Sequence, residues 1–153
     1  MSAVLIDTNL LVLFLVGEIA PSKIGVHRRL KSFDLEDHAR LAQEVRRFSD
    51  HVTHASVLTE ASNLMGAGEQ EIAPGTSFRL AHYATTKARE IRVDAAVLAR
   101  DLLFHRLGLA DCAVAHVAES GVTVLTEDYR LSGVLRSRGV HAWNLRHGST
   151  PGV

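Results

Sequence analysis

The sequence predicts an α/β protein, a three-layer α/β/α sandwich around a mostly parallel central sheet. Two short apolar runs rich in β-branched residues, Ala3 to Ile6 and Gly121 to Thr126, are typical of strands buried on both faces of a parallel sheet. Segments with the helical spacing of apolar residues separate these runs and the other strand-like runs. Strands that alternate with helices form parallel sheets with helices on both faces.

The individual elements follow from apolar spacing and from capping residues. Strands are predicted over residues 3–6, 51–54, 121–126 and 140–145. Helices are predicted over residues 10–16, 34–49, 56–65, 77–90, 94–105, 111–119 and 129–137. Thr8 or Asn9 is expected to cap the first helix and Ser56 the third, whereas Gly17 and Gly66 are expected to end these two helices. Pro21 and Gly25 in the segment 18–33 predict a loop with one helical turn.

The composition is that of one globular domain. Of the 153 residues, 46% are apolar and 22% are charged, as in ordinary soluble domains. A chain of this length buries a core without disulfide or metal support. We therefore assign residues 1–147 to a single domain, and residues 148–153, which are rich in Gly, Ser, Thr and Pro, to a flexible tail.

Charge and cysteine content restrict the compartment and the partners. Lys plus Arg and Asp plus Glu are equal at 17 each, so a phosphate-bearing partner must be bound locally and not by an overall positive field. Cys112, the one cysteine, cannot form an internal disulfide and is expected in the core. The apolar run from Leu10 to Val16 is too short to span a membrane. These features predict a cytoplasmic protein with no membrane contact.

Acidic residues follow two of the predicted strands. Asp7 comes directly after Ile6, and Asp128 comes two residues after Thr126. Because ligands of open α/β sheets bind beyond the carboxyl ends of the strands, we expect both carboxylates at one edge of the sheet. Glu127 adjoins Asp128 and is an alternative or additional ligand there.

Two further acids lie in apolar stretches of predicted helices. Glu60 lies within the stretch 57–61, and Asp111 lies within the stretch 107–114. Carboxylates that lie close together repel, and at least one takes up a proton unless a cation offsets the charge. An all-oxygen ligand set suits Mg²⁺ or Mn²⁺, and such ions act on phosphates. The four acids together therefore indicate metal-dependent phosphoryl chemistry.

Four motifs, in the same order along nearly the whole chain, resemble those of the PIN-domain nucleases. They are Asp-Thr-Asn at 7–9, Leu-Thr-Glu-Ala-Ser-Asn at 58–63, Gly-Leu-Ala-Asp-Cys-Ala-Val-Ala at 108–115 and Leu-Thr-Glu-Asp-Tyr-Arg-Leu at 125–131. The resemblance implies an endoribonuclease that hydrolyses RNA with Mg²⁺ or Mn²⁺. The catalytic and metal-binding residues that it implies are Asp7, Glu60, Asp111 and Asp128. The residues that it implies as supporting or substrate-orienting groups are Thr8, Asn9 and Thr126.

The resemblance also implies partners and shows one departure from the family. RNA is the implied substrate, a homodimer is the implied assembly, and toxin members of the family have an antitoxin as protein inhibitor. Residues 17–50 form a longer and more basic segment than the toxins of bacterial toxin–antitoxin pairs usually carry. This departure argues against a toxin role, and the segment is expected to cover the cleft or to contact RNA.

Each acid also has a purely structural interpretation. Asp7 can begin a turn or cap a helix, Glu60 can be an exposed helical residue, and Asp111 can cap a helix that starts after Gly108. Asp94 and Asp101 have basic neighbours and are assigned to solvated faces.

The other polar and aromatic groups have structural roles as the first expectation. The nine histidines show no zinc spacing, and the basic clusters at 28–31, 46–47 and 136–138 are expected on solvated faces. The larger aromatic side chains expected in the core, not as platforms for RNA bases, are Phe14, Phe48, Phe78 and Trp143.

Other functions fit the sequence less well. The alternative to a nuclease is a PIN-like RNA-binding or regulatory module without turnover, which the presence of all four acids disfavours. A phosphatase of the haloacid dehalogenase type requires an acid two residues after the first, where this chain has Asn9. Gly66-Ala67-Gly68 follows a predicted helix and not a strand, which disfavours a nucleotide-binding loop.

Overall fold

The computed structural model describes residues 3–149, which form one sheet and the helices packed on it. The strands are β1 (Ala3–Ile6), β2 (Asp50–Thr53), β3 (Ala88–Glu90), β4 (Val122–Thr126), β5 (Ala142–Asn144) and β6 (Gly148–Ser149). The helices are α1 (Thr8–Ile19), α2 (Leu35–Val45), α3 (Ala55–Met65), α4 (Thr76–His82), α5 (Ala95–Arg100), α6 (Phe104–Ala118) and α7 (Tyr129–Ser137). Residues Pro21–Lys23 form a 3₁₀ turn, and Tyr83–Lys87 form a π turn.

The sheet confirms the predicted α/β class. Its strand order is β3-β2-β1-β4-β5-β6, and all pairs are parallel except β5 with β6. The chain moves from β1 to β2 and β3 in one direction and from β4 to β5 in the other. Right-handed crossovers are the rule between parallel strands and put the helices of two such halves on opposite faces of a sheet. In this sheet α1 contacts α2, α3 and α4, and α6 contacts α5 and α7, while α3 and α6 also contact each other.

The core is centred on β1 and α1. Val4, Leu5 and Ile6 are at most 1% exposed, as expected for the middle of a parallel sheet. Helix α1 is apolar on all sides because the sheet and three helices surround it, and none of its leucines is exposed. No helix within residues 3–149 combines the length and the apolar character that crossing a bilayer requires.

Two predicted helix caps are wrong. Asp7, and not Thr8 or Asn9, is the N-cap of α1, and its Oδ1 accepts a hydrogen bond from the backbone N–H of Thr8 at 2.8 Å. His54, and not Ser56, is the N-cap of α3, and its Nδ1 accepts from the N–H of Ser56 at 3.1 Å. In both cases the cap is the single residue between the strand and the helix.

The region between residues 77 and 119 differs most from the prediction. The predicted helix over 77–90 ends at His82, and residues 88–90 instead form β3, which pairs with β2 at the edge of the sheet. The predicted helix over 94–105 is interrupted after Arg100, and α6 begins at Phe104, earlier than the predicted start at 111. Gly108 has a φ of 79°, a value that glycine adopts without strain and other residues rarely adopt. This conformation breaks the regular path of α6.

Three smaller differences concern single residues and the tail. Phe78 is 77% exposed and therefore does not belong to the core, whereas Trp143, at 8%, does. Phe14 and Phe48 are partly buried against the core. Gly148 and Ser149, assigned to the tail, pair with β5 as the short strand β6, and the rest of the predicted tail, 150–153, lies outside the described residues.

Gly17 does not end α1 as predicted but allows a helix contact. The helix continues to Ile19, and a Cβ built on Gly17 would lie 2.2 Å from the ring of His38 on α2. The His38 ring Nε2 lies 3.3 Å from the carbonyl oxygen of Phe14 on α1. The absent side chain of Gly17 therefore makes room for an imidazole between two helices.

We expect Gly17→Ala to lower the free energy of unfolding by about 1–2 kcal/mol, because the His38 ring must leave its place. Gly133→Ala is the matched control, since Gly133 lies within α7 and a Cβ there meets no atom within 4 Å. This control is expected to raise stability by about 0.5–1 kcal/mol. Urea denaturation of the two variants measures both effects, and equal changes in the two would contradict the proposed contact.

Candidate active site

The candidate site lies at the carboxyl ends of β1 and β4, the two central strands. These strands are neighbours, and the chain leaves them in opposite directions along the sheet. This is the switch point at which open α/β sheets bind ligands. Asp7 follows β1 directly, and its backbone N–H donates to the carbonyl of Leu125 on β4 at 2.9 Å. The sheet itself therefore sets the position of Asp7.

The carboxylate of Asp7 is buried and hydrogen-bonded on both oxygens. Oδ1 accepts from the N–H of Thr8, and Oδ2 accepts from the hydroxyl of Thr126 at 2.7 Å. Thr126 is fully buried at the end of β4, and its Oγ1 also accepts from the N–H of Asp128 at 3.0 Å. One threonine hydroxyl thus connects the two acids that follow the central strands.

Asp128 repeats at β4 the arrangement of Asp7 at β1. It is the N-cap of α7, and its Oδ1 accepts from the N–H groups of Arg130 at 2.7 Å and Leu131 at 3.1 Å. Its Oδ2 accepts no hydrogen bond from any described residue. That oxygen is therefore free for water, a cation or a substrate.

Glu60 reaches the same site from α3. The hydroxyl of Thr8 donates to Glu60 Oε2 at 3.2 Å, so Thr8 connects Glu60 to the start of α1 beside Asp7. Glu60 is exposed, as its structural interpretation expects, but this contact directs its carboxylate towards the other acids.

Asp111 reaches the site from α6. It is half-buried three residues after the irregular Gly108, and among residues 3–149 nothing donates a hydrogen bond to its carboxylate. Helix capping therefore does not explain this residue. The positive charge that acts on it is that of Arg130, whose guanidinium donates to the carbonyl of Arg106 at 2.9 Å.

The acids share one electrostatic environment. Burial raises the pKa of Asp7 to about 6; the negative charges of Asp128 and Glu60 add to this, whereas hydrogen bonds from Thr126 and Thr8 oppose it. Burial likewise raises the pKa of Asp111 to about 7, and the charges of Asp7, Asp128 and Glu60 contribute in the same direction. The structure therefore brings the four predicted acids from four separate elements to one place.

The four carboxylates surround the site without closing on a single point. Within the described chain, the one group of three potential ligands whose atoms all lie within 4.8 Å of one another is Asp101, Cys112 and His116, which includes none of these four acids. Repulsion between like charges favours wider spacing. Mg²⁺ commonly keeps several waters and binds through one or two carboxylates, so a wider spacing suits this ion.

Glu127 is less available than its neighbour Asp128. Its Oε1 accepts from the amide of Asn9 at 3.1 Å, and its Oε2 lies 3.7 Å from a guanidinium nitrogen of Arg146. Burial raises the pKa of Glu127. Arg146 thus already offsets the charge of Glu127, whereas Asp128 keeps one oxygen that accepts no hydrogen bond from the described residues, so Asp128 is the more available of the two. Asn9 contacts Glu127 and not the other acids.

A cavity of about 620 Å³ gives access to the site between α3 and α6. Glu60 and Asp111 lie on its wall, and the remaining wall is formed by polar and apolar groups of the two helices, including Asn63 and Leu107. Its volume is that of typical small-ligand sites. Two of the four acids, Glu60 and Asp111, therefore border a space of small-ligand size.

Sequence reasoning missed the arginines of the site and one partly buried contact between a carboxylate and a histidine. Arg130 follows Asp128 by two residues, which was a usable signal, whereas the proximity of Arg146 to Glu127 is visible only in the fold. Asp101 was assigned to a solvated face but pairs with His116 at 2.7 Å. Hydrogen bonds lower the pKa of Asp101 to about 2; they come from the backbone N–H of Leu103 and from the side chains of His116 and Arg138. Cys112 is fully buried, as expected.

A scan against protein-family models and a search of the curated proteins each returned no match for this chain. The function of the site is therefore inferred from its residues and geometry.

We expect Asp111→Asn to stabilise the protein at pH 8 and to leave it nearly unchanged at pH 4, measured without divalent cations. An acid whose pKa is raised by folding contributes stability below its unfolded pKa of about 4, and this contribution is lost as the pH rises through about 7. Asparagine carries no charge and avoids the loss. The gain at pH 8 is about 1–2 kcal/mol after allowance for the solvent that reaches this half-buried group.

Thermal unfolding at the two pH values measures the difference between wild type and variant. Asp50→Asn, at the other end of the sheet, is the control and is expected to show no such gain, because Asp50 is exposed and pairs with Arg89. An equal melting temperature of wild type and Asp111→Asn at pH 8 would contradict the shared electrostatic site.

Proposed function

We propose that this protein is a metal-dependent endoribonuclease of the PIN type. The observation that carries the proposal is the convergence of four carboxylates, from β1, α3, α6 and β4, at the switch point of a parallel sheet. Two of them, Asp7 and Asp111, have pKa values raised by burial and by the negative charge of the others. A structure that retains this repulsion has a site suited to a cation.

The donor set fits Mg²⁺ or Mn²⁺. All four groups offer oxygen atoms, which these ions prefer, and nitrogen or sulfur ligands that favour zinc are not among them. Asp7 and Asp128 would hold the ion most directly, since they lie at adjacent strand ends joined by Thr126. Asp111 and Glu60 would complete the site directly or through water. When bound, such an ion lowers the pKa of a water molecule and offsets charge on a phosphate.

The residues of the chain supply position and charge for phosphodiester hydrolysis. Thr126 and the N–H of Thr8 hold the Asp7 carboxylate in one orientation, and the α7 amides hold Asp128. Thr8 holds Glu60, the predicted group that positions water or a second ion. None of these acids needs to form a covalent bond to the substrate, because water is the nucleophile in this proposal.

We expect Mg²⁺ or Mn²⁺ to raise the melting temperature of the wild type. Ligand at a hundredfold excess over its Kd stabilises the folded state by about 2.7 kcal/mol, which corresponds to a rise of about 5–10 °C for a chain of this size. Asp7→Asn should lose most of this rise, and Asp50→Asn should keep it. A rise of equal size in the wild type and Asp7→Asn would place the ion elsewhere.

We expect purified protein to cleave a labelled mixed-sequence RNA in Mg²⁺ or Mn²⁺ and not with a chelator. Asp7→Asn should reduce the cleavage rate at least about a hundredfold, because it removes a negative charge from the centre of the site. The fold should be retained, because the asparagine oxygen can still accept the hydrogen bond from the Thr8 N–H. The control Asp50→Asn should cleave like the wild type. Undiminished cleavage by Asp7→Asn would refute the site, and RNA binding without cleavage in any condition would favour a non-catalytic RNA-binding module.

A further inference from the structure

A second cavity, of about 200 Å³, lies beside the acidic site on the side of the basic segment. Asn9 and Glu127, joined by the hydrogen bond described above, form the part of its wall nearest the acids. Arg28, Arg29 and Phe33 contribute the wall on the side of the basic segment. Asn9 lies two residues after Asp7 in the chain, and Glu127 adjoins Asp128, so this wall connects the cavity to the acidic site.

The guanidinium groups of the two arginines of this cavity have no partner in the described part of the chain. Neither the Arg28 nor the Arg29 guanidinium makes an ion pair or a hydrogen bond with any of the residues 3–149. In contrast, the arginines with a carboxylate partner within 4.0 Å are Arg47, Arg79, Arg89, Arg138 and Arg146. The cavity therefore has two guanidinium groups on its wall that make no ion pair with the described residues, and the planar fork of a guanidinium suits oxyanions.

The segment that carries these arginines is held in place. The N–H of Gly25 donates to the carbonyl of Leu30 at 2.9 Å, and Leu30 is fully buried beneath the turn. Arg146 lies with its guanidinium 5.1 Å from the ring centre of Phe33 and pairs with Asp37 at 3.2 Å. The turn thus presents its two arginines from a fixed backbone, and the ordering cost of binding is correspondingly smaller.

An exposed aromatic pair lies at the same end of the sheet. Tyr129, which follows Asp128, is 71% exposed, and its ring lies edge-on to that of His147 with 5.7 Å between the centres. Exposed aromatic rings beside positive charges are the usual means by which proteins bind the bases and phosphates of single strands. A double helix would not offer its bases to such a pair.

The charge of the chain makes a local cationic site necessary for an RNA substrate. The net charge is zero, and the acids of the site repel phosphate. A strand that crosses the site therefore needs positive charge immediately beside it to hold the phosphates that are not being cleaved.

We propose that Arg28 and Arg29 form a phosphate-binding subsite that holds single-stranded RNA next to the bond cleaved at the acidic site. This inference rests on the proposed nuclease function for the identity of the ligand. The basic segment, which departs from the pattern of the toxin members, then has a defined role in substrate binding.

The test measures RNA binding apart from cleavage. A fluorescein-labelled, mixed-sequence 12-nucleotide RNA is titrated with protein in the Asp7→Asn background with Mg²⁺, and fluorescence anisotropy gives Kd between 50 and 200 mM KCl. Arg28→Gln/Arg29→Gln should raise Kd about tenfold. The slope of log K against log salt should become shallower by about 1.4, since each phosphate contact to a single strand contributes about 0.7.

Two further variants control for charge and folding. Arg46→Gln/Arg47→Gln removes the same charge after α2, where neither residue lines the cavity, and should change Kd less than threefold with the slope retained. Arg28→Lys/Arg29→Lys keeps the charge and should keep most of the salt slope. Thermal unfolding verifies that all variants fold.

The outcomes separate the subsite from the nuclease proposal. If wild-type protein cleaves RNA and the Arg28/Arg29 glutamine variant binds like its parent, the subsite is refuted and the nuclease stands. If wild-type protein does not cleave RNA but its RNA binding depends on these arginines as described, the subsite is supported and the protein binds RNA without cleaving it. Equal effects of the two glutamine variants, or no RNA binding at all, would overturn the subsite and favour an acidic protein segment as the partner of the two arginines.

Discussion

The burial of the Asp7 carboxylate at the end of the central strand is the constraint on which the rest of the site depends. A buried carboxylate costs free energy unless hydrogen bonds or a cation compensate it. The α1 N-terminus and the Thr126 hydroxyl provide part of this compensation. The same hydroxyl accepts from the N–H of Asp128 and so determines where the second acid lies.

The apolar core around the site holds its acids in position. Strand β1 and helix α1 are buried almost completely, and they place Asp7 and Thr8 between them. A rigid apolar scaffold keeps carboxylates close together against their repulsion, and the cost appears in the raised pKa values of Asp7 and Asp111. Stability lost at this point is the physical reason why a bound cation would be favourable there.

Positive charge is distributed around the acids and not among them. Arg130 acts on Asp111, Arg146 contacts Glu127, and Arg28 and Arg29 line the cavity beyond Asn9. Arg146 also packs on the ring of Phe33 and pairs with Asp37. Arg146 thereby connects the basic segment to Glu127 beside the acidic site, although it follows Asp37 by 109 residues in the chain.

The sequence by itself determined the parallel sheet and the four acids, because both depend on local patterns. Apolar runs rich in β-branched residues indicate central strands of a parallel sheet. An acid directly after such a run lies at the carboxyl edge of the sheet, where ligands of open α/β sheets bind. Strand β3 was missed because Ala88-Arg89-Glu90 has no strand pattern of its own and is extended only through pairing with β2. The exposure of Phe78, the pairing of Asp101 with His116 and the positions of the arginines were likewise decided by the tertiary structure. Each of them depends on contacts between distant residues, which local spacing does not encode.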